Sequence, residues 1–217
     1  MKVCVVIPAY NESRNILSLI QDIKKHQLDV LVIDDGSTDS TFSIAKDAGV
    51  QAMLNLRNQG KGASLAKGFK YVLENNFDAV ITMDADGQHL AQDLPVFIEE
   101  ANNPGIHIIL GNRMQNVEKM PYVRVLTNKF MSWLISAISK QSIPDTQCGF
   151  RLIKREVLKS IKLSTSRFDT ESELLIKASH NGFKIKSIPI KSVYGREKSQ
   201  INPFVDTLRF IRLIIRG

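Results

Sequence analysis

The chain is poor in cysteine and tryptophan and has no long apolar run. Its 217 residues include two Cys, one Trp, seven Pro and four His. Cys4 and Cys148 stand far apart and in no metal spacing. A disulfide scaffold is therefore not expected, and a reducing, cytoplasmic setting is the default. The apolar stretch 130–139, between Lys129 and Lys140, is half of the roughly 20 residues that a bilayer-spanning helix needs. One Lys precedes the apolar residues 3–9, and no small-x-small cleavage site follows them, so no signal peptide is expected. Acids are fewer than bases, 22 against 29, for a net charge of +7. That excess suits solubility, and equally an anionic partner such as a nucleotide or phospholipid. Nucleic acid is a poor candidate, because the basic residues are scattered and no aromatic platform is present. With 43% hydrophobic and 24% charged residues the composition excludes collagen-like and disordered chains. The length fits one large domain with a core that needs no staples.

Short apolar runs alternate with helical patterns in the first half. Residues 3–8, 30–34, 51–54, 79–83 and 106–110 read as buried strands, and 16–25, 41–48, 63–74 and 94–101 read as helices. Such βα alternation predicts a mostly parallel sheet with helices on both faces. Ligands of these sheets bind beyond the carboxyl ends of the strands. The second half is less regular. It reads as a long helix over 123–139, a strand over 149–153, a helix over 171–181 closed by Gly182, and a strand over 184–193 in which Pro189 points to an edge or a bulge.

The loops after the strands hold carboxylates, bases and glycines, as a metal–nucleotide site would. Asp84-Ala85-Asp86 ends the fourth strand. Two carboxylates one residue apart can hold Mg²⁺ or Mn²⁺ and leave positions for substrate phosphates. The same turn could equally just cap the next helix. An EF-hand is excluded, because its twelfth position would be Pro95. Asp34-Asp35-Gly36-Ser37-Thr38-Asp39 could accept hydrogen bonds from a base or ribose, or could serve only as a helix cap. Asn58-Gln59-Gly60-Lys61-Gly62 suits an anion at a helix start, or a plain turn; Asn55, where Gly is required, excludes a Walker A loop. Arg113, Arg124 and Arg151 would ordinarily be solvated. Asp145, Asp169, Glu171 and Glu173 are candidate bases, most of them expected to be structural or exposed. The four His show no metal spacing and are given no role. At the C-terminus Phe204, Leu208, Ile211 and Ile215 fall at i, i+4, i+7 and i+11, with Arg209, Arg212 and Arg216 on another stripe. This basic amphipathic helix could lie in a membrane interface or pack on the domain.

Together these segments resemble the family 2 glycosyltransferases of the GT-A fold, in the branch of dolichol-phosphate mannose synthases and bacterial polyprenyl-phosphate glycosyltransferases. The resemblance is carried by Val5-Val6-Ile7-Pro8-Ala9-Tyr10-Asn11-Glu12, by Val32-Ile33-Asp34-Asp35-Gly36-Ser37-Thr38-Asp39-Ser40-Thr41 and by Met83-Asp84-Ala85-Asp86-Gly87-Gln88-His89. Gly111-Asn112-Arg113 and Asp145-Thr146-Gln147-Cys148-Gly149-Phe150-Arg151 continue it. It implies an α/β, Rossmann-like nucleotide-diphospho-sugar transferase over residues 1–200, with the basic helix at 201–217. It implies that Pro8, Tyr10, Glu12, Asp35, Lys61, Asp84 and Ala85 bind the nucleotide sugar, and that Arg196 and Ser199 belong to a loop closing on its phosphates. Asp84, Asp86 and Gln88 would hold Mg²⁺ or Mn²⁺. Arg113 and Arg124 would hold an acceptor phosphate with Asn128, which stands where the family often has Ser. Asp86, Arg113, Arg124, Asp145 and Glu173 form the implied catalytic set. The implied reaction is inverting transfer of a single sugar from a UDP- or GDP-sugar to a polyprenyl phosphate or other lipid-linked acceptor. It would take place at the cytoplasmic membrane face, reached through the terminal helix or a membrane-protein partner. A phosphate monoester, with a second pKa of about 6, needs little base assistance. A sugar hydroxyl would need a carboxylate base, Asp145 or Glu173. A soluble acceptor and a non-catalytic nucleotide-sugar-binding subunit are the remaining alternatives.

Overall fold

A computed structural model describes residues 1–115, 117, 120–165 and 169–191. The helix expected at 203–216, and with it Arg196 and Ser199, lies outside the described residues. The first half forms β1 (Val3–Ala9), α1 (Ile16–Lys24), β2 (Asp29–Asp34), α2 (Thr41–Asp47), β3 (Gln51–Leu54), α3 (Lys61–Glu74) and β4 (Ala79–Thr82). A short 3-10 turn, Ala91–Asp93, leads into α4 (Leu94–Ala101) and β5 (Ile108–Asn112). Then come α5 (Tyr122–Ser139), β6 (Arg151–Lys154), α6 (Arg155–Ser160), α7 (Asp169–His180) and β7 (Ile185–Pro189).

The seven strands form one sheet in the order β3-β2-β1-β4-β6-β5-β7. β1 lies inside it, between β2 and β4, and is apolar throughout because both of its faces are covered. Val3, Val5 and Ile7 join the core under α1, α2 and α4, while Cys4 and Val6 join the core under α3, α5, α6 and α7. Gly68 lets α3 sit directly on the sheet, since a Cβ there would collide with the Val6 side chain. The β1–β2, β1–β4, β2–β3 and β5–β7 pairings are parallel.

β6 runs antiparallel between β4 and β5, which the expected mostly parallel sheet allows; a four-residue buried run has the same composition in either direction. Two expectations are corrected. β3 is an edge strand and only partly covered, with Leu54 exposed. β5 extends through Gly111 and Asn112, which pair with Ile188 and Pro189 of β7, so the polar Gly-Asn is strand and not the loop after it. Pro189 does sit on an edge strand, where a missing N–H costs no ladder bond. Gly182, at φ +82°, closes α7 as expected, with Phe183 N donating to Ala178 O.

Candidate active site

The carboxyl ends of β1, β2 and β4 converge, and their loops are joined by side chains. Asn11 N donates to Ser37 Oγ, and Asn11 Oδ1 accepts from Thr38 N. Glu12 N donates to Thr41 Oγ1 and Ser13 N to Asp39. Burial alone would raise the pKa of Asp39, but hydrogen bonds from Thr41 and Ser13 outweigh it and hold it at about 2. Asp39 is thus a fixed anionic brace. Pro8, Tyr10 and Glu12 line this end, half-buried, and Glu12 Oε2 accepts from Asn15 Nδ2.

Asp35 organises the next loop. Its Oδ1 accepts from Asn55 Nδ2 at 2.8 Å and Gln59 N at 3.0 Å, and its Oδ2 from Gly60 N at 2.7 Å. Gly60 takes φ +98°, a conformation that suits glycine, and starts α3 one residue before Lys61. Lys61 Nζ then stands 2.5 Å from Asp84 Oδ1 and 3.2 Å from Glu171 Oε2. Burial would lower the Lys61 pKa, but the two carboxylates raise it well above the ordinary value. Asp84 is held well below the usual carboxylate range; burial opposes this, and Lys61 and Arg113 bring it about. The site therefore contains a resident cation, fixed through Gly60 and Gln59 by Asp35.

The turn after β4 is held from below. Asp84 N donates to His89 Nδ1 at 3.3 Å, and His89 Nε2 lies 3.9 Å from Cys148 Sγ. The His89 ring leans on Phe150, which stacks on Phe97. Burial dominates His89 and lowers its pKa to about 4, so the ring is neutral at physiological pH. His89 was given no role on sequence; here it buttresses the Asp84 backbone. Gly149 is needed for space, since a Cβ there would come within 2.7 Å of the Asp84 carboxyl carbon. Gln88 N donates to Asp86 Oδ1.

Asp84, Asp86 and Gln88 offer only oxygen donors, which fit Mg²⁺ or Mn²⁺. Among the described residues no three His, Cys, Asp or Glu side chains surround one point. An ion held by Asp84, Asp86 and Gln88 would thus complete its shell with ligand or water oxygens.

The second part of the site is a buried polar cluster beneath α5. Arg113 donates to Asp145 through N, Nε and Nη2, at 3.0, 2.8 and 2.9 Å. Asn128 Nδ2 donates to Asp145 Oδ1, and Ser132 links Asn128 to Thr146. Asp145 is buried, which alone would raise its pKa; the Arg113 and Asn128 bonds lower it instead. The geometry speaks against Asp145 as a general base, because it is a clamp committed to Arg113. Asn128, expected on an acceptor phosphate, is likewise buried and turned to Asp145. Arg124, one turn before Asn128 on α5, is half-buried and has no ion pair among the described residues.

Glu173 lies elsewhere. Its carboxylate accepts from Ser164 and Thr165, N–H and hydroxyl alike, and pairs with Lys177 at 2.6 Å. Burial raises its pKa, but these bonds prevail and hold it at about 2. It anchors the chain before α7 and does not reach the Asp84 cluster. Glu171 does. It bridges Lys61 and Arg151, the latter at 3.6 Å, and its Oε1 is buried with no hydrogen bond among the described residues. Arg151, far from being solvated, is 2% exposed and donates to Cys148 O, Thr146 O and Glu171 O. A signal for Glu171 was present: Glu171, Leu174, Leu175 and Ala178 fall at i, i+3, i+4 and i+7, which puts an acid on the core-facing stripe of α7. Ala85 is buried in the apolar core rather than presented to the cleft.

A seven-stranded sheet of this order between two layers of helices is the GT-A fold. The model for glycosyl transferase family 2 matches residues 4–162, and the chain belongs to that family. A UDP-N-acetylglucosamine–dolichyl-phosphate N-acetylglucosaminyltransferase of Methanococcus voltae is 30% identical over 213 residues, covering 88% of this chain and 85% of that one. A polyprenol monophosphomannose synthase of Mycolicibacterium smegmatis is 31% identical over 201 residues, covering 86% and 75%. In structure, glucosyl-3-phosphoglycerate synthase from Mycobacterium tuberculosis, in complex with Mn²⁺, UDP and phosphoglyceric acid, superposes with a TM-score of 0.75. That match has 20% identity and covers 99% of this chain and 76% of that one.

Proposed function

We propose that the chain transfers a single sugar, with inversion, from a UDP- or GDP-sugar to a polyprenyl phosphate at a membrane surface. The observation that carries this reading is the state of the carboxylates. Asp145 and Glu173, the two acids a hydroxyl acceptor would need as bases, are committed to Arg113 and to the 164–165 backbone, and both are held strongly ionised. A phosphate acceptor, largely dianionic at neutral pH, needs no base. It needs cations, a role that Arg113, held on Asp145, and Arg124 would fill. Relatives named for transfer to dolichyl phosphate and for polyprenol monophosphomannose synthesis support the same acceptor class.

Residues at the ends of β1 and β2, with Pro8, Tyr10, Glu12 and Asp35 among them, would receive the nucleotide. The donor diphosphate would lie at Asp84, Asp86, Gln88 and Lys61. An acceptor phosphate oxygen forms the new bond to the anomeric carbon as the bond to the diphosphate oxygen breaks, and the nucleoside diphosphate leaves. Lys61 holds a positive charge where that leaving group gains a negative one. A divalent ion at Asp84, Asp86 and Gln88 would add Lewis-acid stabilisation of the same group.

The test is transfer of labelled sugar into an organic-extractable product. Purified protein is given Mg²⁺ or Mn²⁺, a short polyprenyl phosphate and a panel of UDP- and GDP-sugars. Label in the organic phase, lost with EDTA and in Asp86→Asn, is expected. Metal-dependent release of UDP or GDP with no lipid-borne label would refute the acceptor.

A further inference from the structure

Glu171 is a buried carboxylate whose hydrogen bonding is incomplete. It is 8% exposed, and its Oε1 accepts no hydrogen bond among the described residues. Its Oε2 lies 3.2 Å from Lys61 Nζ, whereas the same ammonium is 2.5 Å from Asp84 Oδ1. A hydrogen bond between an ammonium and a carboxylate is usually about 2.7–2.9 Å long. The Lys61–Glu171 contact is therefore loose and can tighten. A buried acceptor short of donors is costly, so tightening is also favourable for Glu171.

Of the three groups, Lys61 is the one built to move. Glu171 stands within α7, and its backbone carbonyl accepts from Arg151 Nη1 at 2.8 Å. The Asp84 carboxylate is backed so closely by Gly149 that a Cβ there would collide with it, and Asp84 N is held on His89. Lys61 is the first residue of α3 and reaches both acids on a flexible stem. A void of about 10 Å³ adjoins Glu171 between Thr82, Arg151 and Thr170, which leaves its carboxylate room to turn.

The ammonium on Asp84 engages an oxygen that a divalent ion at Asp84, Asp86 and Gln88 would need. Ion and ammonium are like charges and compete for it. A buried cation that loses its acid must find another, because an unpaired one is strongly disfavoured. Glu171 is the acid that Lys61 already touches. The other charges nearby do not serve: Arg151, 3.6 Å from Glu171 Oε1, is a cation, and Asp145 is bound by Arg113.

We propose that Glu171 is a positioning residue, which receives Lys61 when a divalent ion takes Asp84. The inference deepens the donor-site reading and rests on it for the ion. Glu171 acts through Lys61: it lets the ammonium give way to the ion without leaving the site, so that both positive charges stay beside the place proposed for the diphosphate.

Mn²⁺ is the probe. Its binding to the full chain is followed by the fall of the free-ion electron paramagnetic resonance signal, with no sugar donor or acceptor present. The parent, Glu171→Gln, Lys61→Met and the double variant form a cycle. With Lys61 in place, Glu171→Gln leaves the ammonium no acid but Asp84. Mn²⁺ affinity should then fall by about tenfold or more beyond the fall that the same change causes in the Lys61→Met background. The long-range attraction of Glu171 for the ion is lost in both backgrounds and cancels. Glu171→Asp, which keeps the charge on a shorter stem, should recover part of the affinity. Melting temperatures check the fold of each variant, and if Glu171→Gln does not fold, a crystal structure of the parent with Mn²⁺ decides instead. Lys61 Nζ is expected there on Glu171 and away from Asp84. A fall as large or larger in the Lys61→Met background overturns the proposal, because Glu171 would then act on the ion by its own charge. So does a Mn²⁺-bound structure in which Lys61 keeps its Asp84 contact. Absence of Mn²⁺ binding to the parent overturns this inference and the metal assignment together, whereas binding without coupling sinks this inference alone. Sugar transfer is measured separately, and coupling without transfer sinks the proposed reaction alone.

Discussion

Replacing Lys61 by Met tests the centre of the site. Lys61 Nζ is shared by Asp84 at 2.5 Å and Glu171 at 3.2 Å, and its side chain is 17% exposed against 27% for Asp84. Met keeps the length of the stem and removes the charge. Two mostly buried carboxylates are then left together with two cations in the neighbourhood that are already engaged, Arg151 with three backbone carbonyls and Arg113 with Asp145. Removing one partner of a buried ion pair costs about 3–5 kcal/mol. Partial exposure of Asp84 puts this case at the lower end, about 3 kcal/mol. In a chain of this size that lowers Tm by about 6–12 °C.

The variant should also respond to metal differently. With the resident ammonium gone, a divalent ion is the natural replacement at Asp84. At about a hundred times its Kd such an ion returns about 2.7 kcal/mol, close to the whole loss. Thermal melts followed by far-UV circular dichroism, with and without Mg²⁺ and in the absence of nucleotide, measure both effects. The expected outcome is a destabilised variant whose Tm rises with Mg²⁺ by more than the parent's does. A Tm equal to the parent's, or a loss that Mg²⁺ leaves untouched, would refute the assignment of Lys61 as the cation that balances Asp84 and Glu171.

Glu173→Gln should cost stability and leave transfer per folded molecule unchanged. The Glu173 pKa is about 2 in the fold against an ordinary 4.5, so its contribution is present above 4.5 and is lost as pH falls toward 2. A shift of that size is worth up to about 3 kcal/mol, and the variant should flatten the acid limb of a Tm–pH curve. Asp145→Asn leaves the Arg113 guanidinium buried beside a neutral amide. The expected result is a fall in acceptor kcat/KM that is constant from neutral to alkaline pH, where loss of a general base would instead change the pH profile. Gly149→Ala should push Asp84 out of place, and isothermal titration is expected to show weakened nucleoside diphosphate binding with Mg²⁺ while the far-UV spectrum holds.

The strand-end part of the candidate site was legible as a place because its polar residues sit on short loops directly after strands. Val3, Val5 and Ile7 announce a buried strand, and the polar Tyr10-Asn11-Glu12 that follows can only be at its end. The same holds for Asp34-Asp35 and Asp84-Ala85-Asp86. The direction of β6 was not legible, since Leu152 and Ile153 are buried whichever way the strand runs. Lys61 could be placed at a helix start, but not opposite Glu171. Those residues are 110 positions apart in sequence, and only the stacking of α3 and α7 on the same face of the sheet joins them. Glu171 and Glu173 were both visible as acids. Two residues apart on a helix, they point to nearly opposite sides, and the Leu174, Leu175, Ala178 stripe decides which of them faces the cluster.

Asn128 shows the same logic from the other side. It lies on the buried stripe of α5 with Val125, Ser132 and Ile135, at i, i+3, i+7 and i+10 of that series. A polar side chain on a core-facing stripe must find a partner inside, because leaving it unpaired costs about 1–3 kcal/mol. Its partner is Asp145, whose other bonds go to Arg113. On the proposed reading Asn128 would act on an acceptor through the clamp rather than by touching it. Asn128→Ala is expected to raise the acceptor KM and leave the donor affinity unchanged, because Arg113 loses one support of its clamp while the Lys61–Asp84 contact keeps all of its atoms. Asn128→Ser, which keeps a hydroxyl donor on a shorter stem, should restore part of the loss. Equal damage to donor and acceptor binding would mean that the residue serves the fold as a whole, and the division of the site into a donor half under β4 and an acceptor half under α5 would have to be abandoned.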